Sequence, residues 1–272
     1  MKKFIICLAV FIALTMMIGG RASAVFFGDG GVSLQTVLDN ITLGPNPGLS
    51  SINVLTDEMP DSIDSYWSIH GSGGSVSTVV IELAQWTGTN IFGIYDAANP
   101  MNRVPVFGGA STSGSQAIMS ILGNGSVFVN FADSGVDFAG NFFGFYLDST
   151  QAPQPWTGGI WYSDTSLNVD QQDHMGVYQG KGIDTIRILP FAPGVRDVDE
   201  FTLAFEDLHA MHWGNQNGIN DGFPEWSDTE PDFTDFVVMV ESIDPVPEPA
   251  TLLLLGLGLI GIAGLNKKKL NG

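Results

Sequence analysis

The stretch Glu200-Phe201-Thr202-Leu203-Ala204-Phe205-Glu206-Asp207 decides the fold class. In an extended chain Phe201, Leu203 and Phe205 fall on one face, and Thr202, Ala204 and Glu206 on the other. Such alternation marks a sheet with one buried and one wet face. Upstream, Ser126 to Ala132 repeats it, with Val127, Val129 and Phe131 aligned. Downstream, residues 232–241 (DFTDFVVMVE) end in another such run. Further apolar runs at 77–84, 90–97, 102–109, 116–122, 141–148, 159–164, 174–180 and 184–191 are broken by Gly, Asn, Asp and Ser. Turn signals every ~8–12 residues predict an all-β fold, a β-sandwich or jelly roll rather than βαβ units. One short helix is predicted over residues 33–41. Ser33 is its cap, and Leu34, Val37, Leu38 and Ile41 fall at i, i+3, i+4 and i+7.

The two ends of the chain read differently. Lys2 and Lys3 precede an apolar stretch from Phe4 to Ile18, and Ala22-Ser23-Ala24 supplies small residues for cleavage. Residues 1–24 are therefore predicted to be a secretory signal peptide, cut after Ala24. At the other end Pro247-Glu248-Pro249 is followed by a 16-residue apolar run, Ala250 to Leu265, and then by Lys267, Lys268 and Lys269. As a transmembrane helix this run measures roughly 24 Å, a little short of a hydrocarbon core of ~30 Å. The lysines can snorkel to the surface, and they put that end in the cytoplasm. Residues 25–246 remain as a single β-rich domain without a low-complexity linker.

The one cysteine, Cys7, lies inside the signal peptide, so the mature chain has neither a disulfide nor a thiol nucleophile. An exported protein without disulfides needs a substantial core or a metal to hold it. Residues 25–246 carry 28 of the 29 acidic residues but only four basic ones (Arg103, Lys181, Arg187 and Arg196), a formal balance of −24. Such a surface repels phosphate backbones and excludes nucleic acid as a partner. Its aromatic and branched residues exclude a disordered acidic tail. A highly solvated surface or bound divalent cations reconcile the charge with a folded body.

Acidic groups converge on the opening stretch. Glu206 and Asp207 end one predicted strand, and Asp228, Glu230, Asp232 and Asp235 lead into another. If the two strands pair as an antiparallel hairpin, these ends lie at the same edge. Close carboxylates repel unless a cation sits among them or some hold protons. Calcium accepts six to eight oxygens in irregular geometry, so the predicted ligand set is Glu206, Asp207, Asp228, Asp232 and Asp235 for Ca2+. Asn215, Asn217, Asn220 and Asp221 in the intervening loop could add oxygens. Solvated, turn-forming acids are the alternative.

Two resemblances extend this reading. The triplet Pro247-Glu248-Pro249, the apolar run and the lysines resemble the PEP-CTERM sorting signal of Gram-negative bacteria. That resemblance implies recognition by an exosortase in the inner membrane and removal of the tail; a plain membrane anchor is the alternative. Residues 75–241 resemble domain of unknown function 4114, on Phe205-Glu206-Asp207 and on Glu230-Pro231-Asp232-Phe233-Thr234-Asp235. GIYD at 93–96, YSDTSLN at 162–168 and DHMGVYQG at 173–180 also match. Glu230 stands where that family has Asp and Thr234 where it has Asn, and the loop from Leu208 to Ser227 is long for it. The resemblance implies a β-rich extracellular domain associated with calcium, and no known activity.

Weaker constellations are His209 and His212, an HxxH pair beside Glu206 that lacks the usual zinc spacing, and the isolated His70 and His174, read as structural. With so many acids, a carboxylate pair spaced for glycoside hydrolysis carries little information. Trp156, Trp161, Trp213 and Trp226 sit in loop-like contexts and are the candidates for stacking on sugars, core burial being the alternative. The chain is expected to be a non-catalytic envelope or matrix protein. It uses the Sec export machinery, is held transiently in the inner membrane, is cut by an exosortase, and ends at the cell surface or in the exopolysaccharide layer. The alternative is a secreted carbohydrate-binding or carbohydrate-cleaving domain.

Overall fold

The computed structural model describes residues 32–70, 73–81, 88–152, 157–210 and 233–247. The first sheet contains β2 (Tyr66–Ile69), β4 (Ile91–Asp96), β5 (Asn99–Phe107), β9 (Phe143–Asp148), β10 (Ile160–Tyr162) and β16 (Ile243–Val246). Their order is β16-β2-β9-β4-β5, with β10 also paired to β9. The second sheet contains β3 (Ser75–Ile81), β6 (Gln116–Ile121), β7 (Ser126–Val129), β8 (Ala132–Asp137), β11 (Met175–Gln179), β14 (Glu200–Phe205) and β15 (Phe236–Glu241). Their order is β11-β14-β15-β3-β6-β7-β8. A small third sheet joins β1 (Thr42–Gly44), β12 (Thr185–Ile186) and β13 (Gly194–Val195). The pairings are antiparallel. The architecture is therefore the all-β, sandwich-like one that the alternation predicts.

Apolar faces of the two large sheets meet. Phe201, Leu203 and Phe205 of β14 pack with Trp67, Phe92, Phe143 and Phe145 of the opposite sheet. Trp67 meets Phe201 edge-on at 4.9 Å, and Phe92 stacks on Phe236 at 5.4 Å. Trp67 keeps its indole N–H satisfied by donating to the Asp64 carbonyl, 2.7 Å away, a requirement for burying an indole cheaply.

The other face of β14 is not wet. Thr202 and Ala204 are fully buried and Glu206 is 6% exposed. Helix α1 (Leu34–Ile41) covers that face, packing Leu34, Val37 and Leu38 with Ala204, Val237 and Tyr178. The helix begins where its cap predicts, the Ser33 hydroxyl accepting from the Thr36 amide at 3.3 Å. A second helical turn, α2 (Asp61–Asp64), precedes β2. Two further strand readings change. Phe131 does not align with Val127: it sits in the β7–β8 turn at φ 65° and is 82% exposed. The run 184–191 keeps only Thr185–Ile186 as strand, because it joins the small sheet instead of a long ladder.

The chain passes from the second sheet to the first at Ser242, which has φ 61°. β16 then pairs with β2, Ile243 opposite Ile69 and Val246 opposite Tyr66. Pro245 is tolerated there because β16 is an edge strand, where a missing N–H breaks no ladder. His70, read as structural, bridges the pair by reaching Asp244 at 2.8 Å. The sites at Ala22 and Ala24, the apolar run 250–265, and Glu248 and Pro249 lie outside the described residues. Among the described residues no helix is long and apolar enough to cross a membrane.

Candidate metal centre

β14 and β15 pair in the register that the acidic cluster needs. Phe205 lies opposite Phe236, so Glu206 and Asp207 leave one strand beside Asp235, which enters the other. Ligand oxygens of Glu206, Asp207 and Asp235 lie within 4.8 Å of one another. Glu206 and Asp207 are buried, at 6% and 1% exposure, and Asp235 is half-buried. Asp228 and Asp232 lie outside the described residues.

Each carboxylate is steered by a donor. The Asp207 amide donates to Asp235 Oδ2 at 2.9 Å, and the Leu208 amide donates to Glu206 Oε1 at 3.3 Å. Asn90, just before β4, donates its Nδ2 to Asp207 Oδ2 at 2.9 Å. Asn90 is 1% exposed, and among the described residues its Oδ1 has no hydrogen-bond partner. A buried amide oxygen without a partner costs about 1–3 kcal/mol. Because the amide nitrogen is committed to a carboxylate, a flip cannot relieve it. A cation beside the carboxylates would, since calcium takes amide oxygens with carboxylates. The donor set is all oxygen, the kind that hard cations such as calcium take.

Hydrogen bonds and a ring contact brace the surroundings. The Asp207 carbonyl accepts from Ser149 Oγ and from Trp161 Nε1, the latter at 2.7 Å. Trp161 stacks on His174 with ring centres 3.8 Å apart. His174 approaches the Glu206 carbonyl with Nδ1 at 3.1 Å and Asp170 with Nε2 at 3.0 Å. Burial lowers the His174 pKa, with Asp170 and the Glu206 carbonyl opposing. The His174 contacts hold Asp170 well below the usual carboxylate range against its own desolvation. Trp161 is thereby a buried support and not a sugar platform, correcting its place among the exposed candidates. Trp156, Trp213, Trp226 and His212 lie outside the described residues; His209 Nδ1 lies 3.7 Å from Asp170.

Asn90 was not legible in the sequence. A lone Asn before an apolar run reads as a turn residue, and its partner Asp207 is 117 positions away.

The sorting residues lie elsewhere. Val246 ends β16, and Pro247 follows it without an intervening loop. No curated protein and no solved structure matches the chain. Residues 245–268 match the family model of the PEP-CTERM protein-sorting motif. The chain thus carries a PEP-CTERM sorting motif, that of an exported, exosortase-processed protein whose precursor is membrane-anchored.

Proposed function

We propose that this is a non-catalytic protein of the cell surface or extracellular matrix, released from the inner membrane at its sorting motif and tied together by calcium. Glu206, Asp207, Asp235 and the Asn90 amide oxygen would hold the ion, with Asp228 and Asp232 as further ligands. The ion would neutralise carboxylates drawn from two strands and lock the β14–β15 end to the start of β4 in the opposite sheet. The observation that supports this reading is the clustering of ligand oxygens of Glu206, Asp207 and Asp235 within 4.8 Å, next to the buried Asn90 amide that donates to Asp207. Association with exopolysaccharide follows only from the sorting system the motif belongs to. Thermal unfolding of the protein in EDTA and in millimolar calcium tests the reading: calcium must raise the melting temperature beyond what sodium chloride of equal ionic strength achieves.

One observation favours a second reading, a carbohydrate-cleaving site. Glu200 and Glu241 lie directly opposite each other on β14 and β15 and line a groove of about 170 Å³. Burial raises both pKa values, helped by Glu241 at Glu200 and by Asp199 at Glu241. Two facing carboxyls, at least one with a raised pKa, are what glycoside hydrolysis uses. Release of reducing ends from host exopolysaccharide, lost in Glu200→Gln and in Glu241→Gln, would establish it; no release by the parent protein removes it.

A further inference from the structure

The two ends of the sandwich differ in chemistry. β4 begins beside Asn90 at the carboxylate cluster and finishes at Asp96, and β9 runs back from Phe143 to Ser149, whose hydroxyl meets Asp207. Six residue steps of strand lead from Asn90 to Asp96, about 20 Å. At the Asp96 end an apolar groove of about 490 Å³ opens between Tyr66, Ala98, Ala139, Phe142 and Val246, and Pro247 forms part of its wall. Asp96, the one carboxylate in its lining among the described residues, is already engaged: its oxygens accept the Ala98 and Ala139 amides at 2.9 and 3.0 Å. Phe142 is 56% exposed at this end.

The length of chain beyond Pro247 says what covers the groove. Three Cα steps lead from Pro247 to Ala250, where the apolar run begins. They reach at most about 11 Å. The headgroup layer on one side of a bilayer is roughly 5–8 Å deep. Once residues 250–265 are in the hydrocarbon, the groove has almost no room to stand clear of the lipid. Pro247 and Pro249 fix two of the intervening φ angles and narrow the swing further. The body is too acidic to be drawn to anionic headgroups, so the contact must be apolar.

We propose that this end of the sandwich is a lipid-facing surface of the precursor. The groove and the Phe142 ring seat at the headgroup–acyl boundary of a phospholipid bilayer while residues 250–265 span it. The carboxylate cluster then faces away from the membrane, and cleavage at the motif frees the groove. The proposal rests on the reading of residues 250–265 as a membrane anchor.

The test uses the full-length chain with Cys7→Ser and one new cysteine, Ala98→Cys beside the groove or Ala110→Cys past the far end of β5. Each carries an environment-sensitive fluorophore and is reconstituted into phosphatidylcholine vesicles containing a quencher at the headgroup–acyl boundary. The probe at 98 is expected to be quenched several-fold more than the probe at 110. Adding Phe142→Asp should lower the quenching at 98 measurably while leaving that at 110 unchanged. Flotation of the vesicles separates the two ideas. Protein that does not float removes the anchor reading and this proposal with it. Protein that floats with equal quenching at 98 and 110 overturns the proposal alone. Full quenching in Phe142→Asp would mean that the tether alone sets the distance, and would overturn the groove as the seat. Quenching that appears only when exosortase shares the vesicles would assign the surface to the enzyme and overturn the lipid.

Discussion

Asn90 and Asp207 join the two sheets of this protein at one end: the amide of Asn90 donates to the Asp207 carboxylate at 2.9 Å across 117 residues of sequence. Asn90 opens β4 in one sheet and Asp207 follows β14 in the other. Asp207 clusters with Glu206 and Asp235, and among the described residues the buried Asn90 oxygen has no hydrogen-bond partner. A cation there would complete the junction between the sheets.

Calcium is therefore expected to raise the melting temperature by several degrees. An ion that binds only the folded state adds about 2.7 kcal/mol at a hundredfold excess over Kd, and extracellular sites have Kd values of roughly 0.1–1 mM. Magnesium should do less, because it resists dehydration and demands stricter geometry. The combined Asp207→Asn and Asp235→Asn variant should lose the shift, and Asn90→Ala should reduce it. A double variant that keeps the full shift places the ion elsewhere.

A second set of buried acids makes a pH-dependent prediction. Asp64 is 3% exposed, and burial raises its pKa well above the usual range, with Asp173, Asp61 and Glu58 adding repulsion. Asp173 is raised in the same way. A folded pKa above the unfolded one means stability present below about pH 4 and lost as pH rises through the raised value. Asp64→Asn removes that loss. It should melt a few degrees higher than the parent at pH 8 and equal to it near pH 3.5, measured by calorimetry. A lower melting temperature at pH 8 would show the carboxylate to be needed.

Two aromatic–glycine pairs on β4 and β9 give a packing prediction. Tyr95 lies opposite Gly144 and Tyr146 opposite Gly93. A Cβ placed on Gly144 would overlap the Tyr95 ring, which is fully buried with its hydroxyl 3.3 Å from Ser163 Oγ. Gly144→Ala must push the ring out of place, at a cost of about 1–3 kcal/mol. Urea unfolding should show a lower midpoint with an unchanged slope. An unchanged midpoint would mean that the ring yields freely.

The sorting motif predicts the mature terminus. In the host, mass spectrometry of the released protein should find no residue beyond about Pro249, and Glu248→Ala should leave full-length protein in the inner membrane. A surface-located form retaining Lys267–Gly272 would rule out this processing.

Much of the architecture was legible because a strand's period is a local property. Phe201, Leu203 and Phe205 alternate in the sequence and point into the core in the structure. The wet face predicted beside them was wrong, because α1 lies over Ala204 from more than 150 positions upstream. Phe131 failed for a local reason that alternation does not encode: the chain turns there with positive φ. Glu206, Asp207 and Asp235 could be grouped because they flank one hairpin, whereas Asn90 could not, because its strand belongs to the other sheet.

By itself the sequence determined the β-rich body, the capped helix at 33–41, the acidic balance and the sorting motif at the end of the chain. These depend on periodicity, composition or a contiguous motif, which neighbouring residues carry alone. Only the tertiary structure decided that Asn90 reaches Asp207 of the acidic cluster, that Trp161 is buried against His174, and that the cluster and Pro247 occupy opposite ends of the sandwich. Those relations arise when two sheets bury their apolar faces against each other. The register of that packing is set by side chains dozens to more than a hundred positions apart, so no local stretch of the chain contains it.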